Sequence, residues 1–382
     1  AITGEAVLTS SGTARAMLIL ALPIAMAALG GLVAERAGVI NIGLEGMMIL
    51  GTWGAGFGGW HYGPWGALLG AVVGGALGGL VHALATVTFG VDHIVSGVAI
   101  NLVAAGLVRF LSEALFEGEE GGGPTQSPPI GSPATFDVPI LSSGPDLLGR
   151  LEDIDVVILS DAGGILRGLT SGLTVFALIA LAMLPLAWFV LWRTALGLRL
   201  RSAGENPTAA ESLGVDVYRM KYLAVVVSGA LAGMGGLMLV LWTGTYREGQ
   251  TGGRGYIGLA AMIFGNWRPT GLAAGSGLFG YSDAVRLRAQ TSAAVLALLM
   301  LVGLILAAVG LWDLYRRRYL LSGVLLVLAG VAVVASATLD SLPNEVTTMT
   351  PYLVTLAVLA TASQRLRPPA ADGMRYRRGE EH

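Results

Sequence analysis

The chain has no cysteine, one lysine (Lys221), four histidines and only 13% charged residues among its 382. Each shortage excludes something. Without cysteine there is no disulfide framework, no thiol nucleophile and no cysteine-type metal site. His61, His82, His93 and His382 are scattered and show no metal-ligand spacing. The single lysine does not lie in GxxxxGK[ST], so this chain has no P-loop with which to hold ATP. A net charge of −2 offers no footprint for nucleic acid. No grouping of His, Asp or Cys suggests a catalytic residue set, which leaves a membrane-embedded enzyme without support.

What is present is apolar. Hydrophobic residues make up 54% of the chain, and the mean hydropathy is +0.70. So few charges do not cover that much apolar surface in water. The expected fold class is an all-α polytopic integral membrane protein with about 9–11 transmembrane segments, each needing ~20 apolar residues. Its expected place is a membrane, crossed many times, and the bias toward Ala, Gly and Arg suggests a GC-rich bacterial genome. Glycine is abundant, at 57 residues, and recurs in small-xxx-small spacing at Gly70/Gly74/Gly78, Gly75/Gly79, Gly229/Gly233 and Gly271/Gly275. That spacing is expected to pack helices closely.

Residues 1–14 read as a polar N-terminal tail, and 15–363 as the transmembrane domain. The run from Met17 is taken as a first span, in preference to a cleaved signal. Residues 35–60 form the first irregular region. Glu35, Arg36, Asn41 and Glu45 fall between apolar runs, where polar groups are costly. Asn41 and Glu45 are four apart and share a helix face. Glu35 and Arg36 are expected at the interface, and Asn41 and Glu45 within the bundle, in a broken or re-entrant segment. A short cytoplasmic turn is the alternative. Trp53, Trp60, Tyr62 and Trp65 read as an interfacial aromatic belt. Asn101 lies on an otherwise apolar helix, where an amide needs a partner. Arg109 and Glu113 are spaced to pair. Residues 117–168 are a long, acidic, Gly/Pro-rich extracytoplasmic loop, either a partner contact or a disordered insertion.

Between two apolar runs lies the polar island 193–220. Its basic flank (Arg193, Arg199, Arg201, Arg219, Lys221) points to the cytoplasm. Asn206-Pro207 reads as a helix cap and first position, and Gly214 as the stop, giving a short helix that is a docking element or an ordinary loop. Residues 255–281 are a second interrupted region, broken at Gly265-Asn-Trp-Arg-Pro-Thr-Gly271, as in the broken helices of transporters. Asn266 falls in that break. Residues 292–312 and 319–336 are two spans joined by Arg316-Arg317-Arg318, and 351–362 begins a last one. The Arg-rich tail 364–382 is assigned to the cytoplasm. Alternation then puts the N-terminus outside.

Three stretches taken together resemble a known family. They are Glu-Arg-Ala-Gly-Val-Ile-Asn-Ile-Gly-Leu-Glu-Gly-Met-Met (35–48), Gly-Glu-Asn-Pro-x-Ala-Ala (204–210) and Gly-Arg-Gly-Tyr-Ile-Gly-Leu-Ala-x-x-Ile-Phe-Gly-x-Trp-Arg-Pro (253–269). Asp92-His-Ile-Val-Ser-Gly97 and the ending Pro368-Pro-Ala…Tyr376-Arg-Arg-Gly379 are similar as well. The chain resembles the permease subunit of ABC importers for nucleosides and simple sugars, within the branched-chain amino acid/ribose permease superfamily. The resemblance implies a cytoplasmic ABC ATPase, a second homologous permease in a heterodimer, an extracytoplasmic substrate-binding lipoprotein, and the lipid bilayer around them. It implies that ATP and Mg are bound by the ATPase and that this chain binds no cofactor. It implies that Gly204, Glu205, Asn206, Pro207, Ala210 and Gly214 contact that ATPase, and so that 193–220 is a coupling loop. Residues 291–345 depart from the family pattern and read as a two-span insertion.

The expected mechanism is alternating access driven by the ATPase. Asn41, Glu45, Asn101 and Asn266 are the substrate-pathway candidates, because a neutral polar solute calls for amide and hydroxyl contacts. The rival is an ion-coupled secondary transporter of a small polar solute. It needs a buried titrating carboxylate, for which Glu45 is the candidate.

Overall fold

The computed structural model describes residues 6–154, 156–288, 292–339 and 366–377. Almost everything there is helix. Two strands of two residues, Thr135–Phe136 and Leu173–Thr174, are the sheet content among the described residues. The helices are α1 (Ser11–Arg36), α2 (Leu44–Ala83), α3 (His93–Phe116), α4 (Leu147–Glu152), α5 (Val157–Thr170), α6 (Val175–Arg193), α7 (Ala195–Glu205), α8 (Pro207–Ser212), α9 (Val217–Thr243), α10 (Arg254–Phe264), α11 (Pro269–Arg288), α12 (Ser292–Tyr315) and α13 (Tyr319–Thr338). By length and composition, α1, α2 with the π-turn that follows it, α3, α6, α9 and α13 are long and apolar enough to cross a membrane. The expected last span, 351–362, lies outside the described residues.

The chain forms two compact units. The larger comprises Ala21–Thr135, Leu173–Leu278 and Ala362–His382. Within it, α2 is a hairpin. Tyr62 leaves helical geometry and Gly63 takes a φ of +66°, a conformation glycine adopts without a Cβ clash. Pro64 then starts the return arm, where its missing N–H costs nothing. Residues 44–61 and 64–83 thus run antiparallel, so the broken region expected at 35–60 resolves into an unwound stretch at 37–43 and a full helical arm.

The glycine spacing explains how the arms approach. A Cβ at Gly70 would run into the Gly54 carbonyl, and one at Gly66 or Gly58 into the carbonyl of the other. On the second face of the return arm, Gly75 and Gly79 meet Gly229 and Gly233 of α9 in the same way, and Gly51 meets Gly233. Backbone-to-backbone contact of this kind gathers many small dispersion gains where no hydrophobic force acts between helices. Gly271 and Gly275 likewise sit against Gly265 and Ala261.

Some expectations change. Helix α1 begins at Ser11, so residues 11–14, read as tail, are its first turn; the Ser10 hydroxyl caps it by accepting from the Thr13 N–H (3.3 Å). Trp53 is not a belt residue. It stacks on Phe57 with ring centroids 5.3 Å apart and faces Phe116 at 5.6 Å, because its position on the outgoing arm turns toward α3. Tyr62 and Trp65 at the hairpin tip are exposed.

The smaller unit comprises Ala1–Leu20, Phe136–Gly172 and Phe279–Thr361. The loop at 117–168 contributes two helices to it. Arg167 of α5 pairs with Asp146 (2.6 Å) and Glu152 (3.1 Å), while Glu152 also accepts from the Ser11 N–H (2.9 Å). Composition had suggested only loop there, since this packing depends on partners distant in sequence. Helices α12 and α13 form an antiparallel hairpin around Arg316-Arg317, with Arg317 at φ +60°. The Ser322 hydroxyl donates to the Gly310 carbonyl (2.8 Å).

Candidate functional site

The unwound stretch 37–43 has backbone groups with no helical partner, inside an apolar bundle where water cannot serve them. Such backbone persists only where protein groups satisfy it. The surrounding helices supply them. His82 of α2 donates from Nε2 to the Ile40 carbonyl (3.0 Å), which leaves its Nδ1 to accept from Ser96 (2.9 Å). The Ile40 N–H donates to His93 Nδ1 (3.2 Å). Asn101 of α3 donates to the Ile42 carbonyl (3.0 Å) and accepts from the Gly46 N–H (2.7 Å). Lys221 of α9 reaches the Gly38 carbonyl (3.4 Å). Asn41 donates to Ser228 (2.8 Å), and its Oδ1 is buried with no partner among the described residues.

Glu45 links this break to the second one. Its carboxylate accepts from the Gly253 N–H (2.9 Å) and the Gly255 N–H (2.7 Å) at the start of α10. Orphan N–H groups and the positive end of a helix dipole both favour a carboxylate there. Gly253 is at φ +81°, and a Cβ on Gly255 would lie 2.5 Å from the Glu45 backbone, so both positions require glycine. Asn101 also donates to the Tyr256 hydroxyl (2.9 Å). Asn101 and Glu45 therefore join α2, α3 and α10 at one point.

The far end of α10 turns into α11 through Asn266 and Trp267, at φ +53° and +52°. Left-handed geometry costs a non-glycine residue about 1–2 kcal/mol. The end of α1 holds the turn. Trp267 donates from Nε1 to Glu35 (2.6 Å), and Arg36 donates to the Trp267 carbonyl (2.7 Å). Glu35 is thus buried, not interfacial as expected, because an indole N–H and Asp372 of the tail cover it. Burial pushes the Asp372 carboxyl up to about 7, against the pull of its hydrogen bond with Glu35, of Lys221, of the Gly373 N–H and of Arg36. Lys221, read as part of a cytoplasmic basic flank, is buried, with its ammonium by the Gly38 carbonyl and 5.9 Å from the Tyr376 ring.

The polar island is more helical than its reading as a loop. Thr194 caps α7 by accepting from the Gly197 N–H (3.1 Å). Asn206 caps α8 by accepting from the Ala209 N–H (2.9 Å), Pro207 opens it, and Gly214 at φ +84° ends the turn beyond it. Gly204 packs on the backbone of Arg36 and Gly38, so that side chains would not fit between them. Glu205 lies 3.7 Å from Arg36. Ala210 is buried, whereas Leu213 stands 85% exposed beside Gly214.

The sequence candidates fall into groups. Asn41, Glu45 and Asn101 frame the break; Asn266 sits apart, in the turn beside the tail, where it accepts from the Arg367 N–H (2.8 Å). Gly204 through Gly214 form one element. His82, His93, Lys221, Trp267 and Asp372 were not singled out. The only usable signal for Lys221 was its place as the lone lysine where an apolar run begins. No group of three or more His, Cys, Asp or Glu placed to hold a metal occurs among the described residues.

Spanning-length helices interlocked around two unwound stretches define a polytopic membrane protein of the transport class. The chain belongs to the family described as branched-chain amino acid transport system / permease component, whose profile matches residues 13–309. It is 31% identical to the guanosine ABC transporter permease protein NupQ of Bacillus subtilis, over 96% of each chain. It is 36% identical to the nucleoside ABC transporter permease protein NupC of Lactococcus lactis, over 69% of this chain and 78% of that one. It is 30% identical to the putative glucose ABC transporter permease protein TsgC13 of Haloferax volcanii, over 97% and 98%. No solved structure matches the chain.

Proposed function

We propose that this chain is the membrane-spanning permease subunit of an ABC importer for nucleosides, with simple sugars as the second substrate class. The observation that carries the reading is α8. It is a short helix, capped at its start and stopped by glycine, that presents Leu213 to solvent while Gly204 fixes its base against the end of α1. An exposed apolar knob on a held element suits a groove on a soluble ATPase. Gly204, Glu205, Asn206, Pro207, Ala210 and Gly214 set that geometry. The ATPase binds ATP and Mg; this chain supplies the path and the lever. A second homologous permease completes the path, and an extracytoplasmic lipoprotein delivers the solute.

In this reading a push on α8 reaches α1 through Gly204 and Gly38, and from there the break at 37–43. Asn41, Glu45, Asn101 and Asn266 belong to the moving frame, and Asn41 brings the unoccupied acceptor that a solute hydroxyl would use. Ion coupling through Glu45 is not favoured, since both its oxygens already accept backbone N–H groups.

The test is purification of the chain from its native membrane. An ATPase should accompany it, and replacing Leu213 by Glu should remove the ATPase while the chain stays folded. Labelled nucleoside uptake should fall in parallel. Recovery of the chain as a lone homo-oligomer, with uptake that follows an ion gradient, would sink the proposal.

A further inference from the structure

The described tail, 366–377, has neither helix nor strand beyond a turn at 370–373, yet it is bonded along its length. The Arg367 N–H donates to Asn266 in the strained turn (2.8 Å). The Ala370 N–H donates to Glu205 (3.2 Å), and the Ala371 N–H to the Gly204 carbonyl (2.9 Å). Gly38, Gly204 and Ala371 meet backbone to backbone. A Cβ at Gly38 would lie 3.1 Å from Gly204 Cα and 3.2 Å from the Ala371 oxygen. Asp372 turns inward to Glu35, with Lys221 and Arg36 near it. At the far end the Tyr376 hydroxyl donates to Glu211 of α8. Its ring centroid lies 5.5 Å from that of Tyr218 and 5.9 Å from the Lys221 ammonium. It packs on Ala203, Ala210 and Val217.

Helix α8 is only six residues long. A helix that short has no stability of its own in water, so its orientation comes from what it is bonded to. The tail bonds, in order, the Asn266-Trp267 turn, the end of α7, the end of α1, and α8 with the start of α9. Asn206 alone links α7 to α8 and residues 213–216 link α8 to α9, while the 266–267 turn and the end of α1 are far from both in sequence; the tail touches all of them.

We infer that residues 366–377 are a positioning strap, which locks α7 and α8 to the end of α1 and to the 266–267 turn as one block. A force applied to α8 then reaches the unwound helices and is not lost in a local swing. The strap rests on the ATPase-coupled reading above and deepens it. Tyr376, Glu211 and Asp372 are positioning residues and contact no solute.

Tyr376→Phe and Glu211→Ala cut the same bond from either side, and Glu211→Gln keeps an acceptor as the rescue. The importer complex that copurifies with each full-length variant is placed in proteoliposomes, and ATP hydrolysis and nucleoside uptake are read on the same vesicles. The ATP spent per nucleoside should rise about fivefold in the first two variants, with the ATPase still bound, and return toward wild type in the third. A wild-type ratio in Tyr376→Phe and Glu211→Ala overturns the strap. So does a parallel fall of both activities at constant ratio, the mark of a merely structural role. A second readout needs no turnover. Ala371→Cys gives this cysteine-free chain one buried thiol, and adding Tyr376→Phe should speed its maleimide labelling about tenfold. Unchanged labelling overturns the strap as well. If the wild-type chain brings down no ATPase, the coupled reading itself falls and takes the strap's role with it. Thiol protection that still depends on Tyr376 would show which of the two had failed.

Discussion

The α2–α9 seam and the junction around 37–43 belong to the same unit and are built from opposite materials. The seam is glycine against glycine, with no polar side chain needed and nothing between the backbones. The junction is unwound backbone held by His82, His93, Asn101 and Lys221, each with a specific bond, with Glu45 beside it tied to the start of α10. A dry seam has one good arrangement, since any side chain inserted there pushes the helices apart. A network of hydrogen bonds can trade partners at modest net cost, because each bond contributes only about 1 kcal/mol beyond what it replaces. The two parts of the bundle are thus held by different forces, close backbone packing in one and specific hydrogen bonds in the other.

The largest expected effect comes from breaking the seam. Gly75→Val and Gly229→Val each place a branched side chain on the other's backbone carbonyl, and overpacking of this kind costs about 3 kcal/mol or more. Both should abolish the monodisperse peak of the detergent-purified protein on size exclusion; a normal peak would mean that the seam yields. Next is the junction. Glu45→Ala orphans one buried and one half-buried N–H group at the start of α10, a loss of about 2–4 kcal/mol. The thermal midpoint should drop by several degrees for Glu45→Ala and by less for Glu45→Gln, whose carbonyl still accepts one bond. Equal midpoints for wild type and Glu45→Ala would show that the two breaks are not joined as described.

A subtler comparison uses pH. The Asp372 carboxyl is raised to about 7, with Glu35 and Arg36 of α1 and Lys221 of α9 facing it. A raised carboxyl binds its proton more tightly when docked than when free. Its contribution to docking is therefore complete in acid, below the ordinary range, and is lost as pH rises through 7. A fluorophore on Ala370→Cys should lose anisotropy between pH 5 and pH 8.5, and Asp372→Asn should flatten that slope. The seam has no such group and should not respond. The smallest effect belongs to the surface: Arg109 pairs with Glu113 (2.7 Å) and Glu248 (2.8 Å), yet all are solvent-exposed and screened, so Arg109→Ala should lower the thermal midpoint by no more than about one degree. A larger loss would mean that this pair orders the outer loops.

Much of the candidate site was legible because local chemistry dictates it. Asn206-Pro207 and Gly214 announce a helix with its cap and stop, and the structure forms α8 between them. The glycine spacing at 70–79 and 229–233 announces close helix contact. Arg109 and Glu113 announce a pair. Less legible was the burial of Glu35 and Lys221. Charged residues beside an apolar run look interfacial until the tail and the 266–267 turn, far away in sequence, are brought over them.

The sequence by itself determined that this is a multi-span membrane protein with no P-loop, where its helices break, and where the polar island caps a helix. Those follow from composition and from interactions within a few residues. The tertiary structure decided which glycines face which, that Glu45 closes the start of α10, that two histidines hold the N–H and the carbonyl of Ile40 in an unwound turn, and that the tail returns to grip α7 and α8. Apart from the glycine contacts inside the α2 hairpin, such pairings join positions from 42 to 210 residues apart. No local propensity encodes them; they are selected because buried backbone and charge are costly until a partner arrives.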